Sequence, residues 1–534
     1  MLVSHNGNVA ALAASCLAAL MFGLEISTVP VILPVLQGVL HADFKGMQWI
    51  MNAYTIACTT VLMAAGTLAD RFGRRRVFVV TIVAFAATTL LCGLAPSTQI
   101  LIVSRFLQGM AGGAMFICSI AILSHAFQDG AGRGHAFAIW GVVAGIGLGF
   151  GPLIGGAALG LSSWRAVFLI HVPIAIVCGV LARAGITESR DPHAGSLDVV
   201  GIVTLTLAVF GLTYDITQGA DLGVTRAIVI AAIAALSFAA FIVVENLTAH
   251  PMFDFSVFRI RNFSGAIIAC IGMNFSYWPF IIFLPIYLSA ALGYDSTMTG
   301  LALLVYTIPF LVMPPVAQYL LLSYQARIVI PLGLFTIGLG FVTMAAGISG
   351  ANAPVVLSGA LIAGIGLGLT TTPATNMTTG SVPANRAGMA SGLDVSARLI
   401  TLAINIAVMG LILVEGILSS LRSTLAPAHG VDELRTLAET IAAGSISLLR
   451  QGGPASPLVP EGVAQAALAQ GFGWVTLYGG IGVWILAALS FVVFGPQRRQ
   501  MVPAALDPQP DGLAPLQPLV DASPDRARGQ LADM

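Results

Sequence analysis

Along almost its whole length the chain alternates long apolar runs with short polar breaks, and the runs share a common length. A helix needs about 20 predominantly apolar residues to cross the hydrocarbon layer of a membrane. On that ruler the pattern predicts spanning helices over 9–36, 47–68, 77–95, 99–122, 135–159, 163–184, 198–217, 226–245, 263–291, 298–321, 328–348, 355–377, 389–417 and 471–495. These make about fourteen crossings of an all-α integral membrane protein. The longest polar interruption, 418–470, has mixed charge and helical apolar spacing from Val431 to Leu449, then a Gly- and Pro-rich stretch from Gly452 to Pro460. It predicts an outer surface helix followed by a turn. The Pro-, Asp- and Ala-rich tail, 500–534, predicts disorder.

Charge gives the runs an orientation. Arginines crowd into alternate loops (Arg71, Arg74, Arg75, Arg76, Arg133, Arg183, Arg190, Arg259, Arg261, Arg327, Arg386, Arg498 and Arg499), whereas the short loops between them hold only Lys45, Arg165 and Arg226. Positive charge is retained on the cytoplasmic side, so an even number of crossings separates two cytoplasmic termini. Composition then works by exclusion. Hydrophobic residues make up 57% of the chain and charged residues 9%, with a mean hydropathy of +0.93. A soluble domain carries about 25% charged residues, so this chain cannot clothe a globular surface. A formal net charge of +0 argues against a nucleic-acid partner. Cys16, Cys58, Cys92, Cys118, Cys178 and Cys270 scatter through the apolar runs without metal-ligand spacing, and read as small buried hydrophobes. Residues 1–8 lack a basic n-region and the first run is too long for an h-region, so no cleavable signal peptide is expected.

The densest polar break is Gly66-Thr67-Leu68-Ala69-Asp70-Arg71-Phe72-Gly73-Arg74-Arg75-Arg76, a tight basic loop between the second and third runs. The pattern G-x-L-A-D-R-x-G-R-R-R resembles the signature loop between helices 2 and 3 of the major facilitator superfamily of transporters. That resemblance implies two six-helix halves, with 198–217 and 226–245 as the extra central pair of the fourteen-helix branch. The chain then divides into a first half (1–187), a linker with the two extra helices (188–262), a second half including the outer loop 418–470 (263–499), and a cytoplasmic tail (500–534). Gly66, Asp70, Arg71, Gly73, Arg74 and Arg75 are expected to form a conformational latch. Its counterpart in the second half is degraded to Ser323-Tyr324-Gln325-Ala326-Arg327.

Glu25 stands well inside the first apolar run, where a charge costs roughly 2.5–3.5 kcal/mol by insertion scales. An ionisable group kept there is a candidate to bind and release a proton; the alternative is a carboxylate locked permanently to an arginine. Leu24 to Pro34 also resembles the family's L-D-x-T-x-V-N-x-A-L-P pattern in helix 1, with Glu25 where the family usually has Asp, Ser27 for Thr, and Pro30 near its Asn. The obvious partner is Arg105, which shares a helix face with Gln108, Gly109 and Gly112. R-x-x-Q-G resembles the family's helix 4 element, whose arginine is implicated in proton transfer by modulating a nearby carboxylate. A snorkelling interfacial arginine is the other reading, since Arg105 lies only about 9 Å from the predicted helix start. In the second half Asp394, Arg398, Thr401 and Asn405 form a polar stripe, and Asp394 with Arg398 is a favourable i,i+4 pair. With Arg386 to Gly392 this resembles the fourteen-helix family's R-x-G-x-A-S-G…R pattern. A second proton site and an interfacial ion pair both stand.

In the fifth run Gly145, Gly149, Pro152 and Gly156 recur on one face, which lets another helix approach closely and pivot. The arrangement G-x-x-x-G-P-x-x-G-G resembles the element typical of the superfamily's proton antiporters, which are exporters. Asn274, Tyr277 and Trp278 share a predicted face in the ninth run. Trp49 and Tyr54 resemble the family's helix 2 W-x-x-x-x-Y spacing. With Gln108 these are candidates to line a substrate cavity, packing and lipid contact being equally open.

Together these resemblances imply a fourteen-helix drug:proton antiporter, EmrB/QacA-like: a proton-coupled exporter of hydrophobic or amphipathic small molecules such as drugs or toxic metabolites. It is expected to use the proton gradient, with no cofactor, no metal and no enzymatic activity. A uniporter or proton symporter for an organic acid or sugar is the alternative, against which the fifth-run element speaks. A transport-inactive scaffold or sensor is a third, against which buried Glu25 and Arg105 speak. Expected partners are the substrate, protons and the lipid bilayer, with a periplasmic adaptor protein if the source is a Gram-negative cell. Arginine far exceeds lysine, which points to a high-GC bacterium and its inner membrane.

Overall fold

The computed structural model describes residues 2–127, 130–190, 198–248, 255–382, 387–425, 430–444, 446 and 459–494. The tail 500–534 and most of the Gly- and Pro-rich stretch lie outside the described residues. All regular structure among those residues is helical. The first six crossings are α1 (Leu2–Leu40), α2 (Phe44–Phe72), α3 (Arg74–Leu94), α4 (Thr98–Ala126), α5 (Gly130–Leu161), and a broken sixth made of α6 (Trp164–Leu169) and α7 (His171–Gly185). Next come α8 (Val199–Leu222) and α9 (Val224–Leu247). The last six are α10 (Arg261–Phe275) continued by α11 (Tyr277–Ala290), α12 (Ser296–Val312) continued by α13 (Pro314–Ser323), α14 (Ala326–Ser349), α15 (Ala353–Gly380), α16 (Ala387–Leu425) and α18 (Glu461–Val493). A further helix, α17 (Val431–Ala442), lies in the long interruption.

Each predicted run is thus one crossing. Thirteen have the length and apolar composition to cross a membrane. The fourteenth is α2, whose 29 residues span about 43 Å at 1.5 Å per residue. Three crossings read as unbroken are in fact interrupted. The sixth breaks at Ile170 and the ninth at Ser276, each three residues before a proline, Pro173 and Pro279, and the tenth at Met313, directly before Pro314. A proline has no N–H for the carbonyl four residues back and crowds it, so the ladder opens there.

The first six crossings pack on one another, chiefly α1 on α5, α2 on α4 and α3 on α4. The last six do the same, led by α14 against α15 and α18. These are two six-helix bundles with two extra helices, the arrangement that the resemblance implies. Although central in sequence, α8 and α9 are peripheral in space: α8 lies against α2 and α16, and α9 packs on α8 while exposing Ile228, Ile233, Leu236 and Val243. The halves meet where α5 runs along α12, α2 along α16 and α1 along α11. The expected surface helix is shorter than Val431–Leu449 and is docked, burying Leu434, Leu437 and Ile441.

Candidate functional site

A buried polar cluster sits inside the first half. α1 carries Glu25 into it because α1 and α5 touch backbone to backbone: a Cβ at Gly23 would lie 2.9 Å from the Ala144 carbonyl oxygen, and one at Gly147 2.7 Å from that of Leu20. Ser27 and Thr28 return their hydroxyls to the Gly23 and Leu24 carbonyls at 2.9 and 2.7 Å, so α1 hides its own polar atoms. From α4 come Arg105 and Gln108, one turn apart on the face turned to α2 and α3. Arg105 Nη1 donates to Glu25 Oε1 and to Gln108 Oε1, the latter at 2.7 Å, and Nε donates to the Ile50 carbonyl of α2 at 3.1 Å. Gln108 Nε2 donates to Thr89 Oγ1 at 2.8 Å, and Cys92 Sγ lies 3.3 Å from Gln108 Oε1. The guanidinium lies 4.3 Å from the centre of the Tyr54 ring, a cation–π contact.

Glu25, Arg105, Gln108 and His171 are all fully buried. Arg105 therefore does not snorkel; its charge is met inside the protein. Two ions removed from water are stable together only because they face each other with further hydrogen bonds, and removing either leaves a buried unpaired charge. Four atoms of the cluster, Glu25 Oε2, Arg105 Nη2, His171 Nε2 and the Tyr54 hydroxyl, have no hydrogen-bond partner among the described residues. His171 Nε2 of α7 lies 3.5 Å from Glu25 Oε2.

The second-half candidates form a separate cluster. Arg398 Nε donates to Asp394 Oδ1 at 3.1 Å, and Nη2 reaches Thr375 Oγ1 of α15 at 2.9 Å and Cys270 Sγ of α10 at 3.1 Å. Asp394 is buried, and its other oxygen accepts from Thr375 at 3.4 Å. Asn405, at the far end of the stripe, accepts from the Tyr478 hydroxyl at 2.8 Å.

The aromatic candidates disperse. Tyr54 and Gln108 belong to the Glu25 cluster. Trp49 turns outward to α8, its ring 5.5 Å from that of Phe210 and 6.1 Å from that of Tyr214. Asn274 returns to the Cys270 carbonyl at 3.0 Å, while Tyr277 stacks on Tyr306 with ring centres 3.9 Å apart. Trp278 meets the Phe310 ring edge-on at 6.0 Å. The break at Ser276 separates Asn274 from Tyr277 and Trp278, so they do not form the single face expected.

The basic loop narrows to one residue, Gly73, whose φ of 108° suits glycine alone. Its acidic partner is Glu188, just after α7. The Glu188 carboxylate accepts from the backbone N–H groups of Arg75 and Arg76 at 3.0 and 3.1 Å, and Arg75 Nη1 donates to the Ile186 carbonyl at 3.2 Å. Arg74 N–H donates to the Ser189 carbonyl at 2.9 Å. A carboxylate over free N–H groups at a helix start is favourable. Arg71 lies over the exposed Phe72 ring, and a Cβ at Gly66 would meet Ile117 of α4 at 3.7 Å. The Asp70 side chain lies outside the described positions.

α5 presents two glycine faces. Gly145, Gly149, Pro152 and Gly156 turn to α12: a Cβ at Gly156 would lie 2.7 Å from the Ser296 carbonyl oxygen, and Gly149 accepts from Thr307 Oγ1 at 2.5 Å. Gly149 itself has room, since a Cβ there would meet the Thr307 carbonyl oxygen only at 3.8 Å. Gly147, Gly151 and Gly155 turn to α1.

Three features escaped the reading of the chain. His171 is a lone polar residue in an apolar run and carries no motif. Glu188 carried no motif. Gln48, Asn52, Thr55 and Thr59 recur with helical spacing along one buried face of α2, a signal that was available. Gln48 Nε2 crosses to the Ile406 carbonyl of α16 at 3.1 Å, and the Asn52 amide has no partner among the described residues.

Fourteen crossings in two bundles, with an ion pair enclosed in one of them, define a multi-pass membrane transporter. The model of the Major Facilitator Superfamily matches residues 15–406. The multidrug resistance protein Stp of Mycobacterium tuberculosis (strain CDC 1551 / Oshkosh) is 31% identical over 416 residues, covering 78% of this chain and 77% of that protein. The tetracenomycin C resistance and export protein of Streptomyces glaucescens is 30% identical over 404 residues, covering 74% of each. Among solved structures, a bacterial homologue of the human lysosomal transporter Spinster superposes with a TM-score of 0.63 at 16% identity, over 91% of this chain and 97% of that one. The chain belongs to the major facilitator superfamily, and its relatives put it with the drug:proton antiporters of that superfamily.

Proposed function

We propose that this protein is a proton-driven exporter of hydrophobic or amphipathic small molecules, with Glu25 as the carboxylate that exchanges protons. The observation that carries the reading is the enclosed Glu25–Arg105–Gln108 cluster: an ionisable pair sealed from solvent, with one carboxylate oxygen left for a proton. An ionised Glu25 holds Arg105 and so ties α1 to α4. A protonated Glu25 loosens that tie, and Arg105 keeps its bonds to Gln108 and the Ile50 carbonyl. Two protonation states thus favour two helix arrangements, which is what coupling requires. The halves would part and rejoin along the α5–α12 and α2–α16 seams, and the buried polar face of α2 is where a solute would meet hydrogen-bonding groups. In this reading Asp394–Arg398 is a structural tie, because Thr375 and Cys270 complete its bonding. Glu188 and the arginines of the Gly66–Arg76 loop form the latch, with the loop and both termini in the cytoplasm of a bacterial cell and the protein in its inner membrane. Names of the relatives speak of multidrug resistance and antibiotic export, which supports export over uptake.

The test is the direction of coupling. Proteoliposomes with an acidic interior are given external ethidium or tetraphenylphosphonium. Outward protons are expected to drive accumulation, and nigericin to abolish it. Accumulation only with an alkaline interior, or none for either cation, contradicts the reading.

A further inference from the structure

We propose that His171 is a second proton-holding residue of this site, and that the transported proton is shared between Glu25 Oε2 and His171 Nε2. The proposal rests on the reading of Glu25 as the exchanging carboxylate. His171 is the first residue of α7, at the break that Pro173 makes in the sixth crossing. Its Nδ1 lies 3.2 Å from the Phe168 carbonyl oxygen. A carbonyl oxygen only accepts, so Nδ1 carries hydrogen and donates. A neutral imidazole protonated at Nδ1 has a bare lone pair on Nε2. That nitrogen faces Glu25 Oε2 at 3.5 Å, and neither atom has a hydrogen-bond partner among the described residues.

Were Glu25 ionised and His171 neutral, two acceptors would face each other in a fully buried site, each stripped of water and unpaired. One proton removes the conflict. It sits on Oε2 and is given to Nε2, or it crosses: the O–H bond breaks as the N–H bond forms, leaving carboxylate and imidazolium with no change in total charge. When that proton leaves the pair, Glu25 keeps its ion pair with Arg105, and the two lone pairs drive Oε2 and Nε2 apart. Loss of the proton is thereby turned into displacement of α7 from α1 at a point where the helix is already broken. Glu25 from α1 is the ionisable group that meets His171 directly. Phe85 of α3 meets the ring edge-on at 6.2 Å. Arg105 of α4, Tyr54 of α2 and Cys92 of α3 act on it through Glu25, Arg105 or Gln108.

The full-length protein in lipid nanodiscs is titrated across neutral pH. The Glu25 carboxyl is followed by infrared, its band identified by its loss in Glu25→Gln, and the His171 ring by nuclear magnetic resonance. A shared proton makes the two titrations interdependent. Glu25→Gln is expected to displace the His171 midpoint, and His171→Gln the Glu25 midpoint, each by at least about one pH unit, a tenfold change in proton affinity. Midpoints that stay put in both variants overturn the proposal. Should His171→Gln fail to fold, His171→Asn keeps a donor for Phe168, removes Nε2, and is read the same way. The two readings fail separately. If the parent protein accumulates no ethidium under a pH gradient, the exporter reading falls. If parent and His171→Gln pump with one pH profile while Glu25→Gln does not, only the role of His171 falls.

Discussion

A single methyl group added at Gly156 is expected to pry α5 from α12. Its carbon would lie 2.7 Å from the Ser296 carbonyl oxygen, 3.4 Å from Gly300 Cα and 3.5 Å from Ser296 C. All three atoms are backbone, so no side chain can swing away and the helices themselves must separate. Opposite, a Cβ at Gly300 would lie 2.9 Å from the Pro152 carbonyl oxygen, so the seam is tight from both sides. Overpacking of this kind costs about 1–3 kcal/mol. At about 1.4 kcal/mol per tenfold, that shifts the equilibrium between joined and parted seam by about 5- to 150-fold. Gly149→Ala is the internal control, because its nearest atom is 3.8 Å away and a methyl group fits. Spin labels at Leu161 and Met298, both exposed near this end of the two helices, report the separation. The six native cysteines are buried, so introduced cysteines at the two sites label selectively. Gly156→Ala should populate longer distances and Gly149→Ala should not. Identical distributions for the two variants would refute the claim that this backbone contact holds the seam.

Three further outcomes are expected. Arg105→Leu strands the buried Glu25 and should lower stability by about 3–5 kcal/mol, whereas the double change Glu25→Leu with Arg105→Leu should recover most of it; thermal unfolding in detergent measures both. Glu188→Ala removes the acceptor from the first turn of α3 and should cost about 1 kcal/mol, as losing a helix cap does, with faster hydrogen exchange at the Arg75 and Arg76 amides as the local sign. Lys45, the chain's only lysine, bridges to Glu439 of α17 at 3.4 Å, with both side chains partly exposed. A double-mutant cycle on thermal stability should return under about 1 kcal/mol at low salt and close to nothing at high salt.

The fold was legible wherever one physical constraint dominates. Membrane thickness sets the length of an apolar run, so nearly every crossing could be read from hydropathy alone. The Glu25–Arg105 pair was legible for a related reason: a charge in hydrocarbon demands a partner, and few were available. Asp394 with Arg398 needed only helical spacing. What escaped depends on which helices touch. His171 acquires meaning only when α7 lies beside α1, a distance no local pattern encodes, and Glu188 only when the end of the sixth crossing folds back over the start of α3. The glycines of α5 show the same limit. Their spacing announced a smooth face, but Gly149 proved roomy and Gly156 tight, while Gly147, Gly151 and Gly155 serve α1 instead. The breaks at Ile170, Ser276 and Met313 were within reach, since each stands one to three residues before a proline; the prolines inside α1, α5 and α12 leave their helices continuous, so the signal is ambiguous without packing.

The central claim is that Glu25 carries the proton whose movement drives export. Glu25→Gln keeps the shape of a protonated side chain and removes the titration. In proteoliposomes with an acidic interior, the parent protein should concentrate ethidium, and Glu25→Asp should do so at a reduced rate. Glu25→Gln should bind ethidium at equilibrium yet bring it no higher inside than outside. If Glu25→Gln still accumulates ethidium against its gradient, the coupling carboxylate lies elsewhere and this account of the site is wrong.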